Sequence, residues 1–215
     1  MIIAVYKPKG ITSHDVVDIV RKKFGVRKVG HAGTLDPMAE GVLIVLVGDD
    51  TKRQKEFMGL EKEYIAEIVL GVQTDTYDIE GKVSYENALS SLKYTTDEIQ
   101  AVLKQFIGET EQEVPPYSAV KIKGKPLYKY AREGKMMGIT LPKRKVFIKE
   151  IELLSMVCGD HPLLKIKVVC SKGTYIRSLA NDIGKKLGCG GVLTALVRTS
   201  IGDYKLDKCT KLEDL

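Results

Sequence analysis

Apolar residues recur at two different periods along the chain. From Ser13 to Phe24, "SHDVVDIVRKKF" places Val16, Val17, Ile19, Val20 and Phe24 near helical spacing behind a serine able to cap, which predicts an amphipathic helix. A second helix is predicted over Thr96–Ile107, where Thr96, Ile99, Val102, Leu103 and Phe106 are in phase and the start resembles a capping box. A third is entered through "SKGTY", with Ile176, Leu179, Ile183 and Leu187 at intervals of three and four. Other stretches follow strand patterns. "VLIVLV" from Val42 is apolar throughout and predicts a fully buried strand, while "EYIAEIVLG" from Glu63 alternates, with Tyr64, Ala66, Ile68 and Leu70 on one side. Lys145–Val157 and Leu163–Cys170 read as paired strands, and Val192–Val197 as another. Helices and strands are interspersed without a regular βαβ alternation. The expected fold class is therefore α+β, a mixed, largely antiparallel central sheet flanked by helices. No internal repeat, low-complexity tract or Gly/Ser-rich linker divides the chain, so one domain over 1–215 is expected.

Charge changes this picture at one place. The 215 residues carry +6, but Tyr117–Lys145 holds nine Lys or Arg against the single acid Glu133, a local +8 that leaves the remainder at −2. Tyr117, Tyr128 and Tyr130 lie among those cations. Cations beside aromatic faces are what a surface needs to hold phosphates while stacking on unpaired bases, and a solvated lysine-rich loop is the alternative. The four cysteines, Cys158, Cys170, Cys189 and Cys209, are too far apart for a Cys-x-x-Cys pair and too few for a stapled secreted fold. No apolar stretch approaches a membrane span and the first residues do not read as a signal peptide, so a cytoplasmic location is expected.

Several chemistries lack their minimal parts. Three histidines without a His/Cys cluster give a zinc site little support, and Asp75, Asp78 and Glu80 in "TDTYDIEG" lack the spacing of a calcium loop. There is no Walker loop, dinucleotide fingerprint or Gly-x-Ser-x-Gly elbow. What remains is Asp36, Tyr64 and Arg177, each at the edge of an apolar element. Read alone, each has an ordinary explanation. Asp36–Pro37 is a common turn opener, Tyr64 a strand residue packed in a core, and Arg177 a cation on the wet face of its helix.

Together, "GHAGTLDPMAEGVL", "KEYIAEIVLGVQTDTYDIEG", "PPYSAVKIKGKPLYKYAREG" and "CSKGTYIRSLANDIGKKLGCG" occur in an order that resembles the TruB family of tRNA pseudouridine synthases. With the N-terminal "KPKGITSHDVV" the resemblance covers nearly the whole chain, and it is nearer the bacterial branch than the branch that works with guide RNAs. It implies the pseudouridine synthase fold and an isomerase acting on the T-loop uridine of tRNA. The base is detached from ribose, turned and reattached through carbon, with no electron or group gained, so no cofactor and no metal is expected.

The resemblance also assigns residues. Asp36 matches the catalytic aspartate, acting at the sugar as nucleophile or base, with Pro37 favouring an extended backbone and Gly33 a tight approach before it. Arg177 matches the arginine that pairs with this aspartate, and Tyr64 the tyrosine that stacks on uracil and helps remove the C5 proton. Phenol is a weak base at neutral pH, so Tyr64 needs local help that the sequence does not identify. Leu196 corresponds to an apolar residue of the uracil pocket, and His31 to the histidine that supports flipped nucleotides. Lys52, Asp78 and the window with Lys121, Lys123, Lys129 and Arg132 resemble the parts that grip the T-arm, the window at about 117–145 being thumb-like. Position 197 is Val where a further arginine is common in the family, and nothing resembles the usual small C-terminal RNA-binding domain. The expected partner is the T-arm of tRNA, with no membrane, no obligatory protein partner and a monomeric state. A synthase acting on another RNA, and an RNA-folding protein for which catalysis is incidental, are the rival readings.

Overall fold

The computed structural model describes residues 1–89 and 94–215. In chain order the regular elements are β1 (Ile2–Lys7), α1 (Ser13–Phe24), β2 (Val29–Ala32), β3 (Glu40–Val47), α2 (Gln54–Gly59), β4 (Lys62–Leu70), β5 (Val72–Thr74), β6 (Val83–Glu86) and α3 (Thr96–Lys104). There follow β7 (Gly108–Glu113), β8 (Lys121–Ile122), β9 (Lys125–Pro126), α4 (Leu127–Arg132), β10 (Lys143–Val157), β11 (Leu163–Cys170), α5 (Ile176–Lys186), β12 (Gly191–Ile201) and β13 (Tyr204–Lys205). The fold is α+β. Its nine-stranded sheet has the order β1-β3-β12-β4-β11-β10-β7, with β2 paired to β3 and β13 to β12. The pairing of β1, β2, β7 and β13 with their neighbours is antiparallel, and that of β12 with β3 is parallel.

Two compact units share the chain. The first comprises residues 1–65, 167–172 and 195–215, and the second 66–166 and 173–194. In the first unit, the unbroken apolar run of β3 is explained by cover on both faces. Leu43, Val45 and Val47 pack with Val16, Val17 and Val20 of α1, while Val42, Ile44 and Leu46 pack with Phe57 of α2 and Ile201. A strand buried on both faces has no position where a polar side chain would reach water.

The cap of helix α1 lies one residue before the serine that the pattern assigns to that role. Thr12 is the N-cap, in a capping box with Asp15, and Gly25 closes the helix in the left-handed conformation at φ 64°. The same shift occurs at α3, where Thr95 and Glu98 form the box. Strand β4 alternates buried and half-buried positions along its whole length, as its sequence pattern requires. In the second unit, α3 packs on β10 and α5, and Ile99, Leu103, Ile148, Leu179 and Ile183 are buried there. Helix α5 has no side-chain cap. Its N-terminal Tyr175 is held by Gln112 of β7, whose Oε1 accepts from the Tyr175 amide at 2.7 Å while its Nε2 donates to the Tyr175 carbonyl at 3.0 Å.

Candidate active site

In the first unit, the segment between β2 and β3 carries Asp36. Gly33 enters it at φ +94°, a conformation that L side chains rarely adopt. Asp36 and Pro37 then open a turn closed by the Ala39 amide donating to the Asp36 carbonyl at 3.0 Å. The turn reading of Asp-Pro is thus correct as far as it goes. What it omits is the fixation around it. Arg198 donates from Nη2 to the Gly33 carbonyl at 3.0 Å and from Nη1 to that of Thr34 at 3.4 Å. Ser13 accepts from the Leu35 amide at 2.8 Å and donates to its carbonyl at 3.1 Å, the use to which its hydroxyl is put in place of capping. The Pro37 carbonyl takes the Gly10 amide at 2.9 Å, and Lys7 Nζ donates to Ala39 O at 2.6 Å and Pro37 O at 3.4 Å. Every carbonyl from Gly33 to Pro37, and that of Ala39, is therefore engaged, and the half-buried Asp36 carboxylate projects from a backbone with little freedom.

The sequence reading does not single out Lys7 or Arg198. The signal for Arg198 is nonetheless present: in "LVRTS" it alternates with Leu196 and Ser200, and all three are buried on β12. A polar residue at a buried phase of a strand calls for a partner. Lys7 sits at the end of β1, fully buried, and burial pushes its amine down to about 8 although the Asp36 carboxylate acts in the other direction.

The remaining candidates of the first unit are distributed as follows. Tyr64, on β4, is 7% exposed; burial raises its phenol and the Arg198 guanidinium opposes that rise. Leu196 is buried. The His31 ring is partly buried, its Nδ1 has no hydrogen-bond partner, and its backbone carbonyl accepts from Gln54 Nε2 at 2.7 Å. Burial, with Arg198 adding to it, holds the imidazole below its ordinary value, so it is neutral at pH 7. Lys52 is exposed and pairs with Asp49 at 3.4 Å.

In the second unit, Arg177 emerges from the first turn of α5 and is buried. Nη1 contacts the Asp78 carboxylate at 3.2 Å and donates to the Thr76 carbonyl at 2.9 Å, and Nη2 donates to the Tyr117 carbonyl at 3.1 Å. Asp78 is equally buried; its Oδ1 accepts from Thr76 Oγ1 at 2.7 Å and from the Glu80 amide at 3.1 Å. A carboxylate so engaged orients a guanidinium, and the wet-face alternative for Arg177 does not hold.

Tyr117 opens the basic segment, so its first residue is tied to α5 through Arg177. Within that segment Lys121, Lys123, Lys129 and Arg132 are exposed. Arg132 lies 5.4 Å from the ring centre of Tyr128 and Lys125 4.7 Å from that of Tyr130. Tyr117 also lines a cleft of about 440 Å³ with Tyr77, Pro116 and Met136. No group of three or more His, Cys, Asp or Glu side chains suited to a metal occurs among the described residues.

The chain is similar in sequence and in fold to known proteins. Residues 21–176 match the family model described as "TruB family pseudouridylate synthase (N terminal domain)", and residues 177–215 match "tRNA pseudouridylate synthase B C-terminal domain". The protein named tRNA pseudouridine synthase B of Alkaliphilus oremlandii (strain OhILAs) is 45% identical over 214 residues, which cover 100% of this chain and 69% of that protein. That of Carboxydothermus hydrogenoformans is 48% identical, covering 99% and 73%. Among solved structures, a Cbf5-Nop10-Gar1 complex aligns with TM-score 0.74 at 32% identity, covering 100% of this chain and 53% of the other. An H/ACA RNP bound to a substrate RNA containing 2'-deoxyuridine aligns with TM-score 0.71 at 29% identity, covering 100% and 51%. The chain spans about half the length of those structures.

Proposed function

The chain belongs to the TruB family of pseudouridylate synthases, and we propose that it isomerises the T-loop uridine of tRNA, position 55 in tRNA convention, to pseudouridine. The observation that carries the proposal is the backbone around Asp36, in which each flanking carbonyl is already bonded. A carboxylate that must meet a ribose at the moment the glycosidic bond breaks gains from being fixed beforehand, since no loop ordering is then required in the transition state.

In this reading Asp36 acts at the sugar, where departure of uracil leaves positive charge for a carboxylate to balance. Arg177, oriented by Asp78, is the cation assigned to Asp36. Leu196 lines the apolar side of the uracil pocket, and neutral His31 supports the extruded strand. Tyr64 stacks on the freed base and receives the C5 proton after the new bond has formed. Lys52 and the segment with Lys121, Lys123, Lys129 and Arg132 hold the T-arm phosphates, and one chain acts as a monomer without a cofactor. No helix among the described residues is long and apolar enough to cross a membrane.

The test is tritium release from a T-arm hairpin labelled at C5 of its uridines, comparing the parent chain with Asp36→Asn. Release by the parent and none by the variant, with both binding the hairpin, is the expected result. Binding by both without release by either would overturn the isomerase reading for this substrate and favour a binding or RNA-folding role.

A further inference from the structure

Three cations of the first unit lie out of water: Lys7 at 0%, Arg198 at 1% and Lys62 at 6% exposure. None of them forms an ion pair with a carboxylate among the described residues, and their donors go to backbone carbonyls. Lys7 donates to Pro8, Pro37 and Ala39, and Lys62 to Met58 and Leu60 at 2.6 and 2.5 Å. Arg198 donates to Gly33, Thr34 and, from Nε, to Val42 at 2.7 Å. Burying a charge against backbone carbonyls without an ion pair is costly, so a fold that keeps three together retains them for something other than stability. Both lysines are pushed down to about 8, chiefly by burial. A guanidinium keeps its charge throughout the working range, which sets Arg198 apart.

We propose that Arg198 is a positioning residue of the reaction, holding the Asp36 loop in one arrangement and supplying a fixed positive charge for the step in which the C5 proton leaves. The proposal rests on the isomerase reading above. Its geometric basis is the guanidinium fork, which takes two consecutive carbonyls of the loop with Nη1 and Nη2 and anchors itself to β3 through Nε. The same strand places Leu196 two residues earlier on the same buried phase, so a displaced Arg198 would disturb the pocket wall as well. The guanidinium charge also favours the ionised phenol of Tyr64 against the burial that opposes it. That is the local help a phenol needs as a base.

Atoms and electrons balance in that step. Once C5 has bonded to C1′, the ring carries an N1=C6 double bond and a hydrogen on C5. The C5–H pair becomes the C5=C6 bond, the N1=C6 pair goes to N1, which takes a proton, and the C5 proton passes to the Tyr64 oxygen. That oxygen must be ionised, or lose its own proton in the same event. A nearby fixed cation assists both routes.

Single-turnover rates on T-arm hairpins with protium or deuterium at C5 test this, using the parent, Arg198→Gln and Arg198→Lys. The Lys variant keeps the buried charge and serves where the Gln variant does not fold, as judged by thermal melts. Arg198→Gln is expected to bind the hairpin normally and react about 100-fold slower, with a primary C5 isotope effect larger than the parent's and a pH profile displaced to higher pH. Arg198→Lys is expected to recover part of the rate and of the profile but to retain the enlarged isotope effect. Slowing without any change in isotope effect or pH profile would reduce Arg198 to a structural residue, and an unchanged rate would overturn the proposal outright. If the parent itself does not react, the isomerase reading fails. The hold on the loop is then judged separately, by amide exchange at Leu35 and Ala39: faster in Arg198→Lys if the guanidinium fixes the loop, unchanged if it does not.

Discussion

Lys7 combines a buried ammonium, three carbonyl acceptors and a carboxylate within electrostatic range, and its titration is a measurable property of the fold. Its folded-state value of about 8 lies below its ordinary 10.5, so between those limits the unfolded chain binds the proton more tightly than the folded one. The stability that this group contributes is therefore fully present above 10.5 and is lost as pH falls from there to about 8. Urea unfolding of the parent and of Lys7→Met should give a stability difference, parent minus variant, that rises with pH across this window. A flat difference would mean that the amine is not held down by burial. At Tyr64 the expectation concerns rate. Tyr64→Phe keeps the ring and removes the oxygen, so hairpin binding should persist while C5 tritium release is lost; retained release would exclude the phenol as the proton acceptor.

Elements differ in how openly the sequence declares them, and the differences have physical causes. The helices at Ser13 and Thr96 and the strands at Glu63 and Leu163 follow from periodicity, because burial of one face leaves its mark at every turn or every second residue, while the strand at Val42 is declared by an unbroken apolar run buried on both faces. Their caps are less legible: Thr12 outcompetes Ser13 because Asp15 stands three residues after it, and Ser13 is engaged by Leu35, a contact 22 residues away. Strand β7, "GETEQE", shows no apolar alternation because only Gln112 is buried along it, and that glutamine is there to hold Tyr175. The Asp36–Pro37 turn is readable from its residue types, whereas its fixation by Arg198 and Lys7 depends on pairings that no local pattern contains. One element-scale consequence is testable at Gly41. It lies at φ +114°, in register with Arg198 of the neighbouring parallel strand, and a Cβ there would overlap the Arg198 main chain. Gly41→Ala should cost about 2 kcal/mol or more in urea unfolding. A cost near zero would show that β3 and β12 can part without penalty.

At the scale of the whole molecule, charge is arranged in two ways. The segment Tyr117–Lys145 exposes its cations, and neutralising Lys121, Lys123, Lys129 and Arg132 to Gln should lower the salt slope of hairpin binding by about 3, close to one counterion per cation removed. An unchanged slope would place the phosphate contacts elsewhere. The cations around Asp36 are of the other kind. Buried against carbonyls, they lie where mobile ions do not reach, and a field of that sort is not screened. Ionic strength therefore acts on only one half of this protein's chemistry. Raising salt should increase the KM for the hairpin many-fold and leave kcat nearly where it was, since docking loses its attraction to water-borne ions while the interior charge beside Asp36 continues to act at full strength.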